Sequence, residues 1–125
     1  MRILVAEDDR VFNRILQDHL HAEGFETGAV YDATQTWTQL IAAPPEMLIL
    51  DVKMPGGTGL EVLRKMKRLP RTAHIPVVVI TGIDDPYILR LVEEQGPDAL
   101  LSKPVAMAQL DEEIARLLGS RKNNA

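Results

Sequence analysis

The stretch LILDVKMPGGTGLEVL, residues 48–63, decides how this chain is read. An apolar run stops at Asp51. A Met-Pro step and a cluster of glycines follow, and then Leu60, Leu63 and Met66 recur on one side of a predicted helix. Strand, turn and helix in that order form one unit of an α/β protein. The carboxylate at the end of the apolar run either caps a helix or is the working group of a site.

The same unit recurs on both sides. RILVA (2–6), FETGAV (25–30), MLIL (47–50), PVVVI (76–80) and ALLS (99–102) read as strands. Each is followed by a helical pattern. The first has Val11, Ile15 and Leu20 near helical spacing and Gly24 as its stop. The second spans 33–43 before Pro44-Pro45, and the third spans 59–69. Asp84, Asp85 and Pro86 open the fourth, which runs to Gln95 before Gly96, and the fifth covers 107–119. The central runs are apolar throughout rather than alternating, as in strands covered on both faces. Five strands alternating with five helices predict an α/β fold, a five-stranded parallel sheet with helices on both faces and right-handed crossovers. SRKNNA (120–125) reads as a disordered tail or the start of a linker.

Composition narrows the function classes. A chain of 125 residues, 46% of them hydrophobic, fills one domain with one core. A net charge of −4 offers no global basic field for nucleic acid or an anionic membrane. With no cysteine there are no disulfides, thiolate metal sites or Cys nucleophile. The N-terminus does not read as a signal peptide, and no apolar stretch approaches a membrane span. The expected setting is cytoplasmic.

In an open parallel sheet, functional groups gather at the carboxyl ends of the strands. Glu7, Asp8 and Asp9 follow the first strand, and Asp51 follows the third. Thr81 and Gly82 follow the fourth, and Lys103 and Pro104 follow the fifth. Carboxylates about 4 Å apart repel by roughly 4 kcal/mol per pair at an effective dielectric of about 20, so three of them need more counter-charge than one lysine provides. An all-oxygen set with few carboxylates suits Mg²⁺ better than Ca²⁺. A hard cation, a lysine, a hydroxyl and a carboxylate nucleophile together make a phosphoryl-transfer site. Each residue alone has a plainer reading, as a helix cap, a solvated loop lysine or a turn former. Their arrival at one edge of one predicted sheet favours the site.

The segments ILVAEDD, MLILDVKMPGGTGLEVL, PVVVITG and LLSKP resemble the receiver domain of bacterial two-component response regulators, over residues 1–119. Asp51 to Thr81 is 30 residues and Thr81 to Lys103 is 22, close to what receivers show. The resemblance implies a flavodoxin-like (βα)5 fold with strand order 2-1-3-4-5. Asp51 would accept a phosphoryl group from the phosphohistidine of a histidine kinase or phosphotransfer protein. Asp8 would bind Mg²⁺ (or Mn²⁺) directly and Glu7 through water, with Asp51 and the backbone carbonyl of Lys53 as further ligands. Asp9 opens a second register; the 7/8 pairing fits the distance to Asp51 better, and Asp9 then caps the first helix. Lys103 would pair with Asp51 and then with phosphoryl oxygens, while Thr81 would bond the phosphoryl group and draw its loop inward. Gly82 is small where the phosphoryl group must fit, and Lys103-Pro104 is expected to be cis.

Two positions depart from the family. Leu100 stands where receivers carry Tyr or Phe. Lys53 puts a cation beside the phosphorylation site, where it is expected to alter the acyl-phosphate lifetime. The implied protein is a phosphorelay switch rather than an enzyme, with an output and candidate dimer surface over about residues 85–118. Two alternatives remain: a receiver fold that docks partners without phosphorylation, and a small Mg²⁺-dependent aspartyl phosphohydrolase. The intact Asp51, Thr81 and Lys103 weigh against the first. The second usually needs an acid two residues after its nucleophile, where this chain has Lys53, and a cap domain.

Other signals are weaker. GGTG (56–59) lacks the lysine-serine/threonine ending of a phosphate loop. Arg64, Lys65, Lys67, Arg68 and Arg71 read as a solvated face, with a docking patch for an acidic partner as the alternative. His19 and His21 point to different sides of a helix and have no evident third ligand. Trp37 is expected to be half buried.

Overall fold

The computed structural model describes residues 1–53 and 58–119; the expected turn at 54–57 and the expected tail at 120–125 lie outside the described residues. Five strands form one parallel sheet: β1 (Arg2–Ala6), β2 (Glu26–Val30), β3 (Met47–Leu50), β4 (Val77–Thr81) and β5 (Ala99–Ser102). Their order is β2-β1-β3-β4-β5, as the resemblance implied. The helices are α1 (Arg10–Ala22), α2 (Ala33–Ala42), α3 (Gly59–Arg68), α4 (Pro70–Ala73), α5 (Pro86–Glu94) and α6 (Met107–Leu118). The single turn of α4, opened by Pro70, is the one helix the sequence reading lacked among the described residues. Four residues with no amphipathic stripe leave no periodic signal.

The pleat of β1, β3 and β4 divides the core in two. Leu4, Leu48, Leu50, Val77 and Val79 face α2, α3 and α5 through Leu40, Leu63, Met66 and Val92. Ile3, Val5, Met47, Ile49, Val78 and Ile80 face α1 and α6 through Leu16, Leu20, Leu110 and Ile114. These strands read as unbroken apolar runs because both faces are covered.

The first helix corrects the sequence reading. Its buried residues are Asn13, Leu16 and Leu20, while Val11 and Ile15 are 72% and 49% exposed. The i, i+3, i+7 stripe that meets the sheet includes a buried asparagine, which a search for apolar periodicity passes over. The helix ends before Gly24, whose φ of +94° favours a residue without a Cβ.

Candidate functional site

The order reversal between β1 and β3 opens a crevice at the carboxyl edge of the sheet, where ligands bind in folds of this kind. Asp51 follows β3 directly, and its amide donates to Ala6 O at 2.9 Å, so the end of β3 is tied to the end of β1. Glu7 follows β1, and its amide donates to Val30 O of β2 at 3.1 Å. An open cleft of about 480 Å³ lies over this edge, lined in part by Glu7, Asp8, Asp51, Lys53, Gly82 and Lys103.

Glu7, Asp8 and Asp51 bring carboxylate oxygens within 4.8 Å of one another. Glu7 and Asp51 are buried, whereas Asp8 is exposed at the mouth. Lys103 reaches both buried acids: Nζ donates to Asp51 Oδ2 at 3.0 Å and to Glu7 Oε1. Burial is the largest influence on Glu7 and pushes its carboxyl up to about 7; the Lys103 hydrogen bond opposes this and the Asp51 charge adds to it. For Lys103, burial acts to lower the ammonium, but the bonds to Glu7 and Asp51 outweigh it and hold the group above its usual value. One cation thus serves two buried acids, and the donor set, all oxygen with unmet negative charge, fits a hard divalent ion such as Mg²⁺.

The remaining predicted residues fall around this centre. Asp9 is the N-cap of α1, where its Oδ1 accepts from the amides of Val11 and Phe12 at 3.0 and 3.1 Å. The Lys53 amide donates to Asp51 Oδ1 at 3.1 Å, and the Lys53 side chain is exposed at the cleft. Thr81 is buried at the end of β4, does not line the cleft, and accepts through Oγ1 from the Ile83 amide at 3.1 Å. A Cβ placed on Gly82 would meet only methylenes of Lys103, at 3.8 Å and beyond. Leu100 is half buried against the core on the α5 side. The Lys103–Pro104 peptide is cis.

Three features were not read from the sequence. The Phe12 ring lies 5.1 Å from Lys103 Nζ, a cation–π contact across the cleft edge. Asp84, read only as part of a helix cap, also lines the cleft. Gly59 packs so closely that a Cβ would stand 2.4 Å from Asp51 O and 2.7 Å from Val52 Cα. Only the last had a local signal, a glycine at the start of a helical pattern.

Several of the other sequence candidates have partners. Arg64 pairs with Glu61, and Lys65 lies over the half-buried Trp37 ring at 5.5 Å. His19 does have acids nearby, contrary to the sequence reading: its Nε2 lies 2.7 Å from Asp111 Oδ1 and 3.9 Å from Glu23 Oε1. No helix among the described residues is long and apolar enough to cross a membrane.

Known proteins share both sequence and fold with this chain. The response regulator PleD of Caulobacter vibrioides is 38% identical over 104 residues, covering 83% of this chain and 23% of PleD. The DNA-binding response regulator MtrA of Mycobacterium tuberculosis is 31% identical over 123 residues, covering 98% of this chain and 51% of MtrA. The chain therefore spans from about a quarter to about half the length of these relatives. Among solved structures, the signal receiver domain of a signal transduction histidine kinase from Syntrophus aciditrophicus superposes with a TM-score of 0.90 at 29% identity, covering 95% of this chain and 90% of that one. A CheY-like receiver domain protein from Methanospirillum hungatei, at 24% identity, shares the fold with a TM-score of 0.88 and covers 99% of this chain and 98% of that one. The match to the response regulator receiver domain family runs from residue 3 to residue 115, and this chain belongs to that family.

Proposed function

We propose that this receiver takes a phosphoryl group onto Asp51 from the phosphohistidine of a histidine kinase or a histidine phosphotransfer protein. The observation that carries the reading is Lys103 shared between Asp51 and Glu7 at the floor of an acidic cleft. An Asp51 oxygen attacks phosphorus, the P–N bond to the donor imidazole breaks, and the imidazole leaves and takes up a proton. Lys103 then follows the charge from the carboxylate to the phosphoryl oxygens. Asp8, Asp51 and the carbonyl of Lys53, with Glu7 through water, would hold Mg²⁺ or Mn²⁺, which would supply positive charge against the phosphoryl oxygens.

Phosphorylation shifts an equilibrium between two conformations. The Thr81 hydroxyl exchanges its Ile83 partner for the phosphoryl group and draws the β4–α5 loop inward. Leu100, in place of an aromatic, fills or leaves the space behind that loop. The output face is α5, β5 and α6, about residues 85–118, where Tyr87 is 65% exposed, and it serves a downstream partner or a second copy. The receiver promotes only its own phosphorylation and dephosphorylation, in the cytoplasm.

Acetyl phosphate with Mg²⁺, followed by intact mass, tests the reading. The expected result is a stable gain of one phosphoryl group, absent in Asp51→Asn. No gain would leave a phosphorylation-independent docking module, and multiple-turnover phosphate release would indicate a hydrolase.

A further inference from the structure

Asn13 lies on α1 just inside the Asp9 cap and has no solvent exposure. Its Nδ2 donates to Glu7 O at 3.0 Å and to Val5 O and Val30 O at 3.3 Å each. Its Oδ1 accepts from Gln17 Nε2 at 2.8 Å. Carbonyls can only accept and the Gln17 amide nitrogen can only donate, so both ends of the Asn13 amide are matched in a single orientation. A carboxamide is an expensive group to bury, and this one is fully partnered.

The placement of those carbonyls matters. Val5 lies in β1, Val30 ends β2, and Glu7 O belongs to the peptide that leads into Asp8. The Glu7 amide is already held by Val30 O. Glu7 is therefore gripped at its N–H by β2 and at its C=O by α1. We propose that Asn13 is a positioning residue for the acidic cleft: by fixing the Glu7–Asp8 peptide it aims both carboxylates at Asp51, and Gln17 keeps its amide in the working orientation. The role takes the cleft to be a divalent-cation site, as proposed above.

The test compares Asn13→Leu, which keeps bulk but loses both polar ends, with Thr72→Val. Thr72 is also fully buried, and its Oγ1 donates to Met66 O at 2.9 Å, so its loss removes a buried hydrogen bond outside the cleft. Mg²⁺ affinity, hydrogen exchange of the Glu7 amide and thermal stability are measured for each in the full chain. Asn13→Leu is expected to weaken Mg²⁺ by about tenfold and to speed Glu7 exchange, whereas Thr72→Val loses stability with both readouts at the parent value. Gln17→Leu, which removes only the bond that orients the amide, is expected to weaken Mg²⁺ by roughly two- to threefold and covers the case in which Asn13→Leu does not fold. Parent-like Mg²⁺ affinity in Asn13→Leu or Gln17→Leu, or an equal loss in Thr72→Val, overturns the positioning role alone. Failure of the parent itself to bind Mg²⁺ overturns the cation reading and this role with it.

Discussion

Lys103 Nζ lies 3.0 Å from Asp51 Oδ2 although β3 and β5, which deliver the two residues, are not neighbours; β4 runs between them. The lysine reaches across β4 to the acid and also bonds Glu7, which follows β1 on the far side of β3. A compact cation shared by two buried carboxylates sets the chemistry of the cleft.

Lys103→Ala separates the two tasks of that cation. Removing it leaves Glu7 and Asp51 facing each other, and stability is expected to fall by roughly 1–3 kcal/mol, moderated because Glu7 can take up a proton. Mg²⁺ affinity is expected to hold or rise, since a competing positive charge is gone. Phosphorylation by acetyl phosphate is expected to slow by about tenfold or more. Calorimetry with Mg²⁺, set beside the phosphorylation rate, checks the split.

Glu7 gives the metal-free protein an inverted pH dependence. Its carboxyl is raised from 4.5 to about 7 on folding, so the native state holds a proton that the unfolded chain has released. Stability is highest below the lower value and falls as pH rises through the window to about 7, by up to about 3 kcal/mol. Lys103, raised above its usual value, stays protonated throughout and adds no slope there. Urea midpoints in chelator between pH 5 and pH 8 are expected to fall for the parent, and Glu7→Gln is expected to remove that component.

Lys53 stands exposed at the mouth of the cleft, two residues from the acceptor. Its ammonium can hold phosphoryl oxygens and obstruct an approaching water. An exposed charge contact of about 1 kcal/mol corresponds to roughly fivefold in rate, so Lys53→Ala is expected to shorten the acyl-phosphate lifetime by about that factor. Decay of the phosphorylated species by intact mass measures this, and equal lifetimes would end the idea.

Two glycines near Asp51 differ in what they tolerate. Gly59→Ala forces a methyl group to within 2.4 Å of Asp51 O, and backbone atoms cannot swing aside. Overpacking of this kind is expected to cost roughly 1–3 kcal/mol and to slow phosphorylation by displacing Asp51. Gly82→Ala would meet only Lys103 methylenes at 3.8 and 3.9 Å, so its melting temperature is expected to match the parent. Thermal melts of the two variants side by side provide the check.

The strands were readable because β1, β3 and β4 are buried on both faces, so RILVA, MLIL and VVVI stand out without help from tertiary structure. That Glu7, Asp51, Thr81 and Lys103 stand at one edge followed from each coming at or directly after the end of a strand of a parallel sheet. What resisted reading depended on contacts distant in the chain. Asn13 is polar by type and buried only because carbonyls from two strands meet it, so the inward face of α1 was misplaced onto Val11 and Ile15. The sharing of Lys103 with Glu7, and the Phe12 ring beside it, arise from side-chain geometry that spacing does not encode.

Glu7 and Lys103 lie 96 positions apart in the chain. During synthesis the acids that follow β1 leave the ribosome long before Lys103 does, and until β5 docks along β4 neither Glu7 nor Asp51 has that ammonium beside it. On the proposed reading, full competence to take a phosphoryl group therefore appears late in synthesis, when the last strand brings Lys103 to the two acids.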